Sequence, residues 1–415
     1  MRKLALEGGR PVRPDFLVFG RPLIGEEEID EVVDTLRSGW IGYGPKSIRF
    51  EEDFAAYTRA NHALSMNSAT AALHLALIGA GVGRGDEVIT TPLTFTATAN
   101  VIAHVGARPV FVDVDERTQN IDVSRIEAAI TPLTRAIMPV HMCGWPCDMN
   151  AIREIAARHG IPVVEDAAHA TEAWYEGEKI GSISEFTAFS FYATKHMTTA
   201  EGGMLTVRDQ KVHDRIKALR LHGLDKDAWK RYSPGGFLPY ETIEPGYKYN
   251  MNDIQASMGL HQLARLEANL RVRQDIWQQY DEAFAGMDGL VTPAVHDSTS
   301  TRHARHLYTL RVIPEQFGCD RMQLINALGA ENVGSGIHFI PVHLHRWHRE
   351  TYGTGRGDFP VAEAIGDTTV SLPLSAAMTV EDTQDVIAAV RKIAARYHTS
   401  TTVEGWQDAG LREAA

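Results

Sequence analysis

The stretch FTAFSFYATKHMTTAEGGML, residues 186–205, is the most informative segment of the sequence. It begins as an apolar run of the strand type, passes through Lys195 and reaches the pair Gly202 and Gly203. A lysine directly after a buried strand lies in partly dry surroundings, which disfavour its charged form and make its neutral amine a better nucleophile for a carbonyl. The alternative is a surface lysine in a loop. Ser190 and the two glycines favour the first interpretation, because a hydroxyl can donate to a phosphate and glycine lets the backbone approach a ligand closely.

Short apolar runs rich in β-branched residues alternate with helical patterns around this stretch. We predict buried strands at 87–91, 109–114, 135–140, 161–166, 186–192 and 203–207. Amphipathic stretches such as 68–81 and 148–160 lie between them. Strand and helix in alternation predict an α/β fold with a mostly parallel sheet covered on both faces. Ligands of such sheets bind at the carboxyl ends of the strands.

A different pattern begins near residue 250. A helical period continues through residues 251–286, which is too long for a simple globular helix without a break. The 415 residues also exceed what one ordinary core accommodates. We therefore predict a large domain with an N-terminal arm at residues 1–258 and a smaller α+β domain at residues 259–415.

The composition restricts the partners and the compartment. Of the residues, 44% are hydrophobic and 23% charged, and the net charge is −12, with no basic stripe. Nucleic acid is therefore not the expected partner. The sequence shows neither a signal peptide nor an apolar run of the roughly 20 residues that span a bilayer. With three cysteines, too few for a disulfide scaffold, it predicts a cytoplasmic protein with no membrane partner.

Two of the cysteines, Cys143 and Cys147, flank a turn close to His141, which raises the alternative of a metal site. Their spacing differs from the two-residue gap of a zinc knuckle, and no second ligand pair follows. Structural cysteines are therefore favoured. The four histidines His338, His343, His345 and His348 raise the same question. Because no acidic ligand is interleaved among them, we predict a core or pocket edge and no metal site.

Two further elements complete a pattern with Lys195. Asp166 ends the predicted strand at 161–166, where a carboxylate is costly without a cation such as a protonated pyridine nitrogen. The alternative role for Asp166 is a helix N-cap. Ser68 and Thr70 begin a predicted helix, whose free amides and positive dipole end suit a phosphate, although such residues also cap ordinary helices. Together the three elements describe a pyridine ring with a phosphate arm.

The sequence resembles the DegT/DnrJ/EryC1/StrS family of sugar aminotransferases, which use pyridoxal 5'-phosphate and have the aspartate-aminotransferase fold, called fold type I. The resemblance covers nearly the whole chain. The matching segments are SGWIGYGPKSIRFEEDFA (38–55), NSATAALHLAL (67–77), TTPLTFTATAN (90–100), VVEDAAHA (163–170), FSFYATKHMTTAEGGML (189–205), GYKYNMNDIQA (246–256), GIHFIPVHLH (336–345) and SLPL (371–374). LHGLDKDAWKRY (221–232) and PGYKYNMND (245–253) are similar to the subgroup acting on 4-keto nucleotide sugars.

The resemblance implies roles for particular residues. Lys195 would hold the cofactor covalently and later carry the proton, Asp166 would pair with the pyridine nitrogen, and His169 would lie near the ring. Phe95 would stack on the ring, although an apolar residue there also suits a core. The phosphate would be bound by Ser68, Ala69, Thr70 and Ser190.

The resemblance also implies a homodimer whose second subunit completes each phosphate site through the segment GYKYN (246–250). Lys248 or Asn250 is the candidate, and many relatives carry asparagine in place of Lys248. Tyr43, His338 and His343 are expected near the nucleotide sugar.

The implied reaction moves an amino group from L-glutamate to a nucleotide-linked keto sugar. The expected substrate is a dTDP- or UDP-linked 4-keto-6-deoxy sugar, and the products are the 4-amino sugar and 2-oxoglutarate, with pyridoxamine 5'-phosphate as the intermediate cofactor form. The alternatives are a 3-keto-sugar aminotransferase of antibiotic biosynthesis and a regulatory protein that binds the cofactor without catalysis. The related dehydratases carry histidine in place of the lysine.

Residues 41–44 and 237–240 are expected to select the sugar. Glu172 replaces a glycine of many relatives and could shape the sugar pocket or lie at the surface.

Overall fold

The computed structural model describes residues 3–225, 240–294 and 297–411. Residues 237–239, part of a segment expected to select the sugar, lie outside these ranges, as do residues 226–232 of the segment similar to the 4-keto subgroup. Within the described ranges, every helix is too short or too polar to span a bilayer.

A central sheet of seven described strands contains the predicted runs. Its strands are β1 (His62–Met66), β2 (Glu87–Thr90), β3 (Arg108–Phe111), β4 (Thr134–Ile137), β5 (Val164–Asp166), β8 (Phe186–Ser190) and β9 (Gly203–Val207), and a two-stranded hairpin of β6 (Trp174–Tyr175) and β7 (Glu178–Lys179) lies outside the sheet. The order is β3-β2-β4-β5-β8-β9-β1, with parallel bridges at Ile137–Val163 and Val140–Asp166 joining β4 to β5. The predicted mostly parallel sheet is confirmed.

Strand β9 alone in this sheet runs antiparallel to both of its neighbours. The chain returns from β8 to β9 through residues 191–202, which form turns and bends and contain no helix to carry a parallel crossover. Lys195 lies in this connection and therefore at the carboxyl end of β8.

The described helices are α1 (Glu26–Ser38), α2 (Pro45–Thr58), α3 (Ala69–Gly79), α4 (Thr96–His104), α5 (Met149–His159), α6 (Gln210–Leu219), α7 (Asp253–Ala264), α8 (Leu266–Phe284), α9 (Pro314–Phe317), α10 (Arg321–Ala330), α11 (Arg346–Tyr352), α12 (Pro360–Thr368) and α13 (Val380–Leu411). The predicted break in residues 251–286 is confirmed, since Arg265 lies between the end of α7 and the start of α8.

Each face of the central sheet carries its own apolar core. On β8, Ala188 packs in the same cluster as Leu73 of α3, whereas Phe189 packs with Phe54 of α2 and Ile152 of α5. This division follows from the geometry of a strand, in which successive side chains point to opposite faces. Helix α3 lies between the sheet and other helices, so that residues 71–77 are all buried, and all of them except His74 are apolar.

A separate core surrounds the antiparallel sheet β10 (Leu290–Val291), β11 (Tyr308–Val312) and β12 (Thr369–Leu372). Trp277 of α8 and Leu4 of the N-terminal arm pack in it. Leu260 and Leu263 of α7 instead pack in the core of the central sheet that contains Phe189. The division at 258/259 remains a prediction, and the change from one core to the other takes place along α8.

Candidate active site

A cavity of about 390 Å³ opens at the carboxyl ends of β5 and β8. The sequence-predicted residues that line it are Ser68, Ala69, Thr70, Phe95, Asp166, His169, Ser190, Lys195 and His338. They come from segments far apart in the chain and meet because parallel strands end at one edge of the sheet. Tertiary folding therefore brings the pattern read from the sequence into one place.

Lys195 follows β8 in a turn in which its backbone N–H donates to Tyr192 O at 2.9 Å. Its side chain is half-buried and lines the cavity. The surrounding protein lowers the pKa of the Lys195 amine to about 8 by desolvation, and the nearby carboxylate of Asp166 opposes this shift without cancelling it. The amine can therefore lose its proton near neutral pH, as a nucleophile or base requires.

Asp166 is buried at the end of β5. Its Oδ2 accepts a hydrogen bond from Thr98 Oγ1 at 2.8 Å, and its Oδ1 accepts one from the backbone N–H of Ala168 at 3.1 Å. Burial raises the pKa of Asp166, while these two donors and Lys195 oppose the rise by favouring the charged form. The alternative of a helix N-cap is wrong, because residues 167–173 form turns and no helix begins there.

The start of α3 and the end of β8 form the polar end of the cavity. Ser68 is the N-cap of α3, and its hydroxyl accepts from Ala71 N at 3.1 Å. Gly203 of β9 pairs with Ser190 and lies against the helix start, where a Cβ atom would come within 2.5 Å of Ala69 N. Glycine at 203 is thus what lets the strand pass so close to the first amides of the helix.

Aromatic and imidazole rings line the opposite wall. Phe95 is 59% exposed, which excludes the alternative of a core aromatic, and its ring centroid lies 5.9 Å from that of Phe339. His169 is buried and stacks on the same Phe339 at 5.9 Å. Burial, and then the charge of Lys195, lowers the pKa of His169 well below its usual range, so that the imidazole is neutral. His338 is held by Ser371 Oγ, 2.7 Å from its Nδ1.

Two residues expected at the sugar do not line this cavity. His343 is buried, and its Nε2 lies 3.0 Å from Glu363 Oε1, so its ring is engaged within the protein. The hydroxyl of Tyr43 accepts from Arg220 Nη2 at 2.9 Å and donates to a carboxylate oxygen of Glu51 at 3.2 Å. Both side chains therefore contact other residues of the protein and do not reach the cavity.

Lys248 and Asn250 also lie outside the lining of this cavity in their own chain. Their segment runs beside the residue before the α3 cap, since Asn67 N donates to Tyr249 O at 2.7 Å and Asn250 bridges to Met66. A role for either residue at the phosphate site of a second subunit remains a prediction.

Sequence reasoning missed several residues that line or support the cavity. Thr98 could have been found, because its hydroxyl lies one helical turn after Phe95 in a motif already singled out. His306 lines the cavity from the segment before β11 and carries no local signal. The remaining missed lining residues include Thr94, Tyr192, Glu201 and Phe339.

The structure places Glu172 and two of the cysteines in the protein interior. Glu172 is fully buried and ion-pairs with Arg273, so the surface alternative is wrong, and it does not line the 390 Å³ cavity. Cys143 and Cys147 are buried free thiols. Both ring nitrogens of His141 make protein contacts, one with Glu165 at 2.8 Å and one with Cys147 N at 3.0 Å.

The arrangement of Lys195, Asp166 and the α3 start in one cavity has counterparts in known proteins. The model of the DegT/DnrJ/EryC1/StrS aminotransferase family matches residues 22–391. The chain belongs to this family. It is 52% identical over 382 residues to the spore coat polysaccharide biosynthesis protein SpsC of Bacillus subtilis (strain 168), with 92% of this chain and 98% of that protein covered.

Two other relatives support the family assignment. The chain is also 42% identical over 383 residues to the UDP-4-amino-4-deoxy-L-arabinose–oxoglutarate aminotransferase of Shewanella sediminis (strain HAW-EB3). The match covers 91% of this chain and 98% of that protein. The candidate sugar aminotransferase Spr1654 of Streptococcus pneumoniae, solved in its PLP form, has a TM-score of 0.84 and 36% identity, covering 92% of this chain and 99% of that one. It has also been solved in a PMP form. The predicted family and fold type are confirmed.

Proposed function

We propose that this pyridoxal-phosphate-dependent sugar aminotransferase moves an amino group from L-glutamate to a nucleotide-linked 4-keto sugar. One observation carries the proposal: a lysine whose pKa is lowered to about 8, a buried strand-end aspartate and a helix N-terminus line one cavity. These are the groups that an aldehyde, a pyridine nitrogen and a phosphate require.

The residues present fit the cofactor. The α3 start lines the cavity through Ser68, Ala69 and Thr70, and Ser190 belongs to the same lining. The hydrogen bonds that Asp166 accepts from Thr98 and Ala168 favour its charged form, which is the form that pairs with a protonated ring nitrogen. Ser68, Ala69, Thr70 and Ser190 would hold the phosphate, and Phe95 would cover a ring face. When bound, pyridoxal phosphate supplies the electron sink that lets the α-proton of an amino acid leave.

The chain's own residues account for the proton movements. In the first half-reaction, Lys195 Nζ would take the proton from the α-carbon of glutamate and pass it to the cofactor, which would keep the amino group while water releases 2-oxoglutarate. In the second half-reaction, the same Nζ gives a proton to the sugar carbon that carried the keto oxygen. Neutral His169 can donate or accept a hydrogen bond beside Lys195 without adding a charge. Because one lysine serves both halves, the kinetics should be ping-pong.

The donor and the position of the keto group are the finer parts of the proposal. The S. sediminis relative is named for a UDP-linked 4-amino sugar and for oxoglutarate, the keto acid that glutamate becomes. SpsC is named for polysaccharide biosynthesis. The S. sediminis name favours a 4-keto sugar and glutamate in this chain, and the SpsC name favours a role in polysaccharide biosynthesis. The similarity of residues 221–232 and 245–253 to the 4-keto subgroup agrees with this preference.

The experiment is an absorbance spectrum followed by a substrate panel. Purified protein loaded with pyridoxal phosphate should lose its long-wavelength band on addition of L-glutamate, and a band that no amino donor changes would favour a non-catalytic protein. The converted protein should then aminate dTDP-4-keto-6-deoxyglucose or its UDP-linked analogue. Turnover of a 3-keto sugar alone would contradict the position but leave the reaction class intact.

A further inference from the structure

A buried cluster of ionisable side chains lies beside Lys195 and takes no part in the proton movements described above. Its members are Glu172, His196, Arg273 and His306, each less than a tenth exposed. Three of them, His196, Arg273 and His306, also line a second cavity of about 20 Å³ together with Lys195. The cluster therefore approaches the reacting lysine across a space the size of one water molecule.

Arg273, on α8, ties two backbone segments together. Its Nη2 ion-pairs with Glu172 and donates to Ala304 O at 3.3 Å, and its Nε donates to Arg305 O at 3.1 Å. These two carbonyl groups directly precede His306, so the guanidinium holds the segment that carries this ring. A buried guanidinium is costly without a carboxylate, and Glu172 supplies the carboxylate.

The ring of His306 lies between two other imidazoles. Its centroid is 4.5 Å from that of His169 and 4.6 Å from that of His196. Burial lowers the pKa of all three imidazoles well below the usual range, so neutral rings can pack without charge repulsion. Glu172 Oε2 lies 3.6 Å from His196 Nε2. The three rings thus connect the ion pair to His169 at the cavity wall.

We propose that the Glu172–Arg273 ion pair is a positioning device for the reacting end of the cavity. It holds His306 and His196 in place, and the packed rings in turn fix His169 beside Lys195. This inference rests on the proposed transamination, because His169 matters to it as a neighbour of the bound cofactor. Glu172 and Arg273 are positioning residues that act through the rings.

The first test replaces Glu172 by Gln, which keeps the side-chain size and removes the charge that balances Arg273. The expected result is a fall of about 10- to 100-fold in the rate of the glutamate half-reaction with KM little changed, because a misplacement of about 1 Å can cost that much. The absorbance maximum of the bound cofactor should shift, and its Kd should rise. Glu172→Gln protein with wild-type rate, spectrum and Kd would overturn the proposal.

The matched control is Glu331→Gln. Glu331 is fully buried like Glu172, ion-pairs with Lys392 at 2.8 Å and accepts from Ala5 N and Val12 N at 2.9 Å, contacts that include neither an imidazole nor a residue that lines either cavity. The substitution should lower the melting temperature without changing the half-reaction rate or the spectrum. If the control altered rate and spectrum as much as Glu172→Gln does, loss of any buried carboxylate charge would explain the effect and the proposal would be wrong.

A second pair of variants keeps the test decisive should Glu172→Gln fail to fold. His306→Phe retains a packed ring without nitrogens, and His306→Ala removes the ring. Positioning predicts that the Phe variant keeps the rate within about threefold while the Ala variant loses it; equal loss in both would assign His306 an acid–base role instead.

Wild-type protein that glutamate does not convert would contradict the proposed function, whereas the Kd and spectrum of the variants would still test the positioning.

Discussion

Replacing Gly203 by Ala tests the phosphate end of the cavity. A Cβ at this position would lie 2.5 Å from both Ala69 N and Ser68 C and 2.7 Å from Ser68 O, all of them backbone atoms. Carbon contacts are optimal at about 3.5–4.0 Å, so the α3 start or β9 must move by roughly 1 Å. Overpacking of this kind costs about 1–3 kcal/mol. Since those moved amides are the ones proposed to hold the phosphate, the cofactor should bind about 5- to 150-fold more weakly.

The assay measures the Kd for pyridoxal phosphate by absorbance and the free energy of unfolding in urea without cofactor. Gly329→Ala is the matched control, because a Cβ at Gly329 meets nothing within 4 Å and the residue lies inside α10. This control should leave the Kd unchanged and stabilise the chain by up to about 1 kcal/mol through helix propensity. Wild-type Kd and stability in the Gly203→Ala protein would refute the reasoning about the close approach.

Three further predictions follow from the site. Lys195→Ala should abolish both half-reactions while pyridoxal phosphate still binds, and transamination by this variant, measured by 2-oxoglutarate release, would remove Lys195 from the mechanism. Thr98→Val removes a donor that lowers the pKa of Asp166, so this pKa should rise and the acid limb of the pH profile of kcat/KM should move to higher pH; an unmoved limb would contradict the role of the hydroxyl. His343→Gln should lower the melting temperature but not change KM for the sugar, whereas His338→Gln should raise that KM; the reverse pattern would restore His343 to the sugar site.

The predicted chemistry depended on local patterns that tertiary packing left intact. Lys195 and Asp166 each follow a run of apolar residues, and a buried strand end is a place where an ionisable residue is retained only with a partner or a function. Ser68 could be recognised because an N-cap is encoded within one helical turn. For the same reason the sheet was predictable from the alternation of strand and helix.

Other features depend on which segments meet in space. His343 and Tyr43 lie in motifs similar to those of the family. Their partners, Glu363 and Arg220, lie 20 and 177 residues away in the chain, and neither pairing can be read from the motifs. His306 reaches the cavity from the segment before β11, and nothing in its neighbours predicts that position. Such contacts arise from packing between segments that lie apart in the chain, for which a single sequence carries no periodic signal.

Lys195 illustrates this division. The order of strands and helices, the residues at the strand ends and, through them, the class of cofactor chemistry could be predicted from local periodicity and short motifs. Three features appear only in the folded chain: Glu172 is a buried partner of Arg273, three imidazoles pack beside Lys195, and burial outweighs Asp166 in its effect on the pKa of this lysine. Desolvation and ion pairing depend on everything that surrounds a group, and those surroundings exist only once the chain has folded.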